Sequence, residues 1–134
     1  MGAWGFDVFE NDTACDYAAE VAEGSDLSGI EGKLDHILRI GTAYLKAPDA
    51  EEALAAADIL ARLQGRFGQQ NAYTDGIDRW VKDVKVKPSK ELVEKARRSI
   101  ARILTDPSEL LGLWRESEDF DSWKSCVQGL SNCL

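Results

Sequence analysis

Between Ala50 and Gln64 the chain reads AEEALAAADILARLQ, six alanines in fifteen residues. Alanine has the strongest intrinsic helix preference because it gives up no side-chain entropy on entering a helix. This stretch is therefore a helix on local grounds alone. Ala50, Ala53, Leu54, Ala57, Leu60 and Ala61 fall on one face at helical spacing. Such a face of small side chains lets neighbours approach closely, which makes this the natural central helix of a bundle. A connector of Tyr44, Leu45 and Lys46, ended by Pro48, precedes it, and Asp49 with Glu52 three residues on predicts a reciprocal capping box at its start. Asp58 lies beside the apolar face. It is able to cap or pair with something buried, although an aspartate in that place ordinarily points to water.

The other informative stretch is the opening, MGAWGFDVFENDTACD, Met1 to Asp16. Trp4, Phe6 and Phe9 precede Asn11 and Asp12, whose side chains suit the unpaired N–H groups of a first helical turn. The segment before them is an aromatic arm. Burying such side chains is worth roughly 1.5–3 kcal/mol each, so the arm is expected to dock on the helices that follow. Gly5 between Trp4 and Phe6 marks a turn or a close approach that a Cβ blocks.

Met1 to Gly5 (MGAWG), with Phe9, Asn11, Asp12 and Asp16, resembles the opening of a bacterial family known only as domain of unknown function 4259. Where that family often has a Trp after the last Asp, this chain has Tyr17. A weaker resemblance runs through Glu51 to Leu63 and the tryptophans Trp80, Trp114 and Trp123. The resemblance implies a small bacterial helical domain and brings no activity with it.

Six further helices follow from periodicity. The first runs from about Thr13 to Glu23 with Ala14, Ala18, Val21 and Ala22 as its stripe and Gly24 as its stop. The second starts near Asp26 and carries Leu27, Ile30, Leu34, Ile37, Leu38 and Gly41 at helical spacing, with His36 beside that face. One histidine without an evident partner reads as structural. Gly65 to Gly76 is irregular, with Phe67 and Tyr73 expected to tie it down. GRFG there lacks the Lys-Ser/Thr of a phosphate-binding loop and follows a helix rather than a strand. Ile77, Trp80, Val81 and Val84 mark a short helix, and Pro88-Ser89 opens another that reaches Leu104. Asp106-Pro107-Ser108-Glu109 predicts a helix start with Asp106 as cap and Pro107 at the first position. A last helix from about Asp119 buries Phe120, Trp123, Val127 and Leu130, and the four tryptophans read as core pillars. No strand is long enough to expect. The fold class is all-α, a compact single domain over residues 1–134 of about seven short helices with an N-terminal aromatic arm.

Function is constrained mainly by exclusion. No run of about 18 apolar residues exists to span a membrane, and no basic region followed by an apolar run marks a secretion signal. Cys15, Cys126 and Cys133 are an odd set. The last two lie about 10 Å apart along a helix, too far for a disulfide within it. Reduced thiols and a cytoplasmic location are the expectation. Residues 1–60 carry thirteen acids against three bases, 61–104 eleven bases against five acids, and 105–134 six acids against two bases, within a total of −8. Folding of the basic stretch against the acidic ones neutralises part of this; an acidic face left over suits a basic partner. The acidic total, without a helix-turn-helix or RNA-binding pattern, argues against nucleic acid.

No nucleophile–base pair or metal-ligand spacing points to an enzyme, and no cofactor is expected. Asp12 and Asp16, four apart on one helical face near Asp7 and Glu10, are the nearest thing to a divalent-cation site, but calcium-loop spacing is missing. They read as helix-start acids favoured by the helix dipole. The expected function is non-catalytic: a protein-binding domain, specifically an immunity protein that blocks a basic nuclease toxin. The alternative is a housekeeping domain with a small-ligand or metal site near the N-terminal acids. Two surfaces compete for the partner. Asp7, Glu10, Asp12, Asp16, Glu20 and Glu23 are partly committed to a helix start. Glu116, Glu118, Asp119 and Asp121 sit in an apparent loop with only Arg115 and Lys124 nearby, and are the expected contact residues.

Overall fold

The computed structural model describes residues 3–66 and 70–134, so Met1 and Gly2 of the opening motif and the expected anchor Phe67 lie outside the described residues. Seven helices follow in chain order: α1 (Asp12–Ala22), α2 (Ser28–Ile40), α3 (Ala47–Leu63), α4 (Asp75–Val84), α5 (Lys90–Ile103), α6 (Glu109–Arg115) and α7 (Phe120–Cys133). Among the described residues there is no strand, and the fold is all-α as its periodicity predicts.

The alanine run is the axis of the molecule. α3 packs against all six other helices. Ala50, Ala53, Ala55, Ala56, Ala57 and Ala61 are buried, as are Leu54, Ile59 and Leu60, so the helix is covered all round rather than along one stripe. Side chains that end at Cβ let the surrounding helices come to short interaxial distances, which is how a 17-residue helix can be enclosed by short partners. Its start differs from expectation. α3 begins at Ala47, with Pro48 inside its first turn and no capping box. The orphan N–H of Ala47 is met instead by Glu109 Oε1 at 2.7 Å, from α6. Asp49 and Glu52 are thereby released to grip Lys33 of α2 at 3.4 and 2.9 Å.

The starts of α1 and α5 follow their local chemistry closely. Asn11 caps α1 by accepting from the Ala14 N–H at 2.8 Å, and Ser89 caps α5 by accepting from Leu92 at 3.1 Å. Asp26 precedes α2 and accepts from the Ser28 N–H at 3.1 Å, and Gly41, at φ +61°, ends that helix in a backbone conformation that side chains disfavour. At α6 the cap is Ser108 rather than Asp106. Pro107 lies before the helix, because its carbonyl and the Glu109 N–H are both bonded to the backbone of Leu45, at 3.2 and 2.9 Å. Asp106 instead reaches Arg115 at 2.9 Å.

The aromatic arm docks only in part. Phe9 and Val8 are buried, whereas Trp4 is 46% exposed and Phe6 37%. Trp4 leans on Tyr73, itself 54% exposed, at 5.4 Å between ring centroids, so neither is a core pillar. A pair of rings that cover each other reduces the penalty of standing in water without entering the core. Trp80, Trp114 and Trp123 are buried as expected. Trp114 and Trp123 stack at 5.8 Å and 8°, with Phe120 6.3 Å from Trp123, which locks α6 to α7 across their turn. No helix among the described residues is long and apolar enough to cross a membrane.

Candidate functional site

Two regions concentrate polar chemistry: a cavity where the arm meets α3 and α7, and the turn between α6 and α7. The cavity, about 220 Å³, is lined by Asp7, Val8 and Phe9 of the arm, by Asp58, Ala61 and Arg62 of α3 with Arg66 just beyond it, and by Cys126, Gly129, Leu130 and Cys133 of α7.

At its base lies a buried charge cluster. Asp58 and Arg62, four residues apart on α3, meet through Arg62 Nε and Asp58 Oδ1 at 2.5 Å. Arg62 Nη1 donates to Asp78 Oδ1 of α4 at 2.7 Å, and the buried Thr74 hydroxyl donates to the other Asp78 oxygen at 3.0 Å. The Phe9 ring lies under the guanidinium, 5.5 Å from its carbon. The Arg62 side chain is 1% exposed and Asp58 10%. Asp58 thus does not point to water. An α3 enclosed on every side has no solvent face, so the carboxylate is tolerated only with its guanidinium partner. Burial holds the Asp58 carboxyl above the usual aspartate range even though Arg62 pulls it down.

Along the α7 wall, the Cys126 thiol donates to Asp7 Oδ1 at 3.3 Å. Burial, reinforced by Asp7, pushes this thiol up to about 12, so it stays protonated at neutral pH. Glu10 turns towards the same carboxylate, and its hydrogen bond with the Asp7 side chain raises it above the usual glutamate range. Gly5 makes room for it, since a Cβ there would stand 2.2 Å from Glu10 Oε2. The six N-terminal acids therefore do not form one face. Asp7 and Glu10 turn inward, while Asp12, Asp16, Glu20 and Glu23 are exposed on α1 and its end. Among the described residues no group of three or more His, Cys, Asp and Glu side chains converges closely enough to hold a metal ion.

The expected contact residues occupy the second region. Glu116 ends α6, Glu118 and Asp119 form the turn, and Asp121 lies in the first turn of α7. All four are exposed. None has an ion-pair partner among the described residues. Arg115 is committed to Asp106, and the Lys124 ammonium lies 6.0 Å from the centre of the Phe120 ring. Elsewhere the acidic and basic stretches do neutralise each other, as Lys95 of α5 shows by bridging Glu31 and Asp35 of α2 at 3.2 and 2.9 Å. His36 lies half-exposed on α2, 3.7 Å from Asp49.

The Asp58–Arg62 base of the cavity had one local signal, a charged pair at i, i+4 inside an otherwise apolar helix. The contributions of Asp7, Phe9, Asp78 and Cys126 come from distant parts of the chain and have none.

No curated protein and no solved structure matches this chain. The family described as domain of unknown function (DUF4259) matches residues 2–126, nearly its whole length, and the chain belongs to that family.

Proposed function

We propose that this is a non-catalytic protein-binding domain whose acidic α6–α7 turn meets a basic partner, and that it acts as an immunity protein blocking a nuclease toxin. The observation that carries the reading is the exposure of Glu116, Glu118, Asp119 and Asp121 without a cationic partner among the described residues, while other carboxylates on α2 and α3 are paired. Unpaired surface charge of one sign contributes little to folding, but it accelerates encounter with an oppositely charged surface and fixes its orientation. The stacked tryptophans below hold the turn rigid, which lowers the ordering cost of association. A thiol kept protonated at the cavity wall is a poor nucleophile, which favours binding over catalysis.

Co-expression with a basic, toxin-like protein encoded beside this one is the direct test. A stable complex that abolishes nuclease activity, weakened by charge reversal at Glu118, Asp119 and Asp121, is the expected result. Full toxicity in the presence of this chain, with no complex, removes the reading.

A further inference from the structure

We propose that the cavity between the arm, α3 and α7 binds a small organic cation, an alkylammonium or alkylguanidinium. Its charged head meets Asp7 and Asp58, and its carbon body lies against Val8, Ala61 and Leu130. The cavity residues share nothing with the α6–α7 turn, so this site is separate from the partner surface proposed above.

Hydrogen-bond accounting selects a donor. Asp58 is nine-tenths buried, and its Oδ1 is taken by Arg62, but its Oδ2 accepts no hydrogen bond from any described residue. Among the described residues the sealed side-chain polar atoms without a partner are Tyr17 Oη and Ser99 Oγ, so Asp58 Oδ2 is not stranded, and a donor that enters the cavity meets it as an additional partner. The Cys126 thiol is already donating to Asp7. Arg62 is engaged with Asp58 and Asp78. Arg66, on the exposed rim, is tied to the Cys133 carbonyl at 3.3 Å, so the inner end of the cavity is the acceptor-rich one.

Charge selects a cation among donors. Asp7 and Glu10 have no cationic partner among the described residues, and the Asp7 charge also bears on Asp58. The single positive charge of Arg62 is shared between Asp58 and Asp78. A monocation inside the cavity relieves repulsion that the described residues leave uncompensated. A bare metal ion fits poorly, because among the described residues the acidic and thiol groups do not converge closely enough to hold one. A planar or tetrahedral nitrogen head with several N–H groups spans such a spread. At about 220 Å³ the space suits a head and a few carbons, below the 300–1,000 Å³ range of drug-sized ligand pockets.

The test uses n-butylammonium and n-butylguanidinium, with n-butanol and n-butyrate as controls, read by melting temperature and by amide chemical shifts. Both cations should raise the midpoint saturably, as a ligand selective for the native state must, with shifts centred on Val8, Asp58 and Cys126. Asp7→Asn should weaken binding about tenfold, the effect of losing one charge-assisted contact. Gly129 lines the cavity with nothing within 4 Å of where its Cβ would stand. Gly129→Leu should therefore fold, fill the space and abolish the response. No saturable effect of either cation at about 50 mM, where a millimolar site is nearly full, overturns the proposal. So does an equal response to butanol or butyrate, or a response that survives Gly129→Leu.

Discussion

Asp58 and Asp119 are the same residue in opposite circumstances. One lies inside the molecule, held by a guanidinium that a threonine-braced Asp78 also grips; the other stands at a helix start in water with no ion partner among the described residues. The contrast extends to their neighbourhoods. Around Asp58 the Asp58–Arg62 pair of α3 is met by Asp78 and Phe9 from distant parts of the chain, so that α3, α4 and the arm are joined through one arginine. Around Asp119, aromatic stacking holds the α6–α7 turn, and its carboxylates have no ion partner among the described residues. Charge inside this protein is architectural because removing one partner strands another. Charge on the turn is free to act on something else.

Breaking the buried side of that contrast should have the largest effect. Arg62→Met keeps much of the apolar stem but leaves Asp58 and Asp78 facing each other without compensation. Removing one partner of a buried ion pair typically costs about 3–5 kcal/mol, and urea unfolding should read a loss of that size. Adding Asp58→Asn should recover part of it, since the residues act as a unit and their losses are not additive. A loss under about 1 kcal/mol for Arg62→Met, the range of surface pairs, would place this cluster with the exposed charges.

Lys33 stands between the extremes, 19% exposed, with Asp49 and Glu52 both in reach. Lys33→Met should cost about 1 kcal/mol, a typical net value for a partly buried charged hydrogen bond. Burial pulls the Lys33 ammonium down, but Glu52 and Asp49 outweigh it, and it titrates above the ordinary lysine value of 10.5. Its contribution is therefore complete below 10.5 and disappears as pH rises through the higher folded value. The wild-type advantage over Lys33→Met should close only in that alkaline window.

Glu51 reverses the sign. Burial first, then the charges of Glu109 and Glu52, raise its carboxyl above the ordinary 4.5. The folded state holds that proton more tightly than the unfolded chain, so stability falls as pH rises through the folded value. Glu51→Gln should stabilise the protein at neutral pH by up to about 0.5 kcal/mol once solvent screening is allowed for. The gap should vanish below pH 4.5. A destabilised variant at neutral pH would assign Glu51 to the paired, architectural class.

How much of this contrast was visible in the sequence depends on distance along the chain. The seven helices were legible because alanine content, apolar periodicity and local caps such as Asn11 and Ser89 act within a few residues. The start of α3 was not, because its capping acceptor is Glu109, 62 residues away. Trp4 was misplaced for a related reason: aromatic size argues for burial, but the partner that decides its position is Tyr73, across the molecule. The exposed acids of the turn could be read directly, since an absence of nearby bases is a local property. The cavity could not, because Asp58, Arg62 and Arg66 of one wall are near in sequence but Asp7 and Cys126 come from distant parts of the chain.

The smallest effect on stability should come from the turn itself. Glu118→Lys/Asp119→Lys/Asp121→Lys replaces three carboxylates that have no ion partner among the described residues. What they contribute to folding is their position at the positive end of α7, where exposed acids are each worth roughly 0.3–1 kcal/mol at low ionic strength and less in salt. Reversal should therefore lower stability slightly in dilute buffer and by less than about 0.5 kcal/mol at physiological salt. Association should respond quite differently. If these charges steer a basic partner, the on-rate should fall severalfold and its salt dependence should flatten, while dissociation changes less, because exposed rim charge acts on encounter rather than on the docked complex. Folding and binding would then separate cleanly in one variant. Equal on-rates for the reversed and native turns would remove this surface from the account, and a stability loss approaching that of Arg62→Met would erase the distinction between the two kinds of charge.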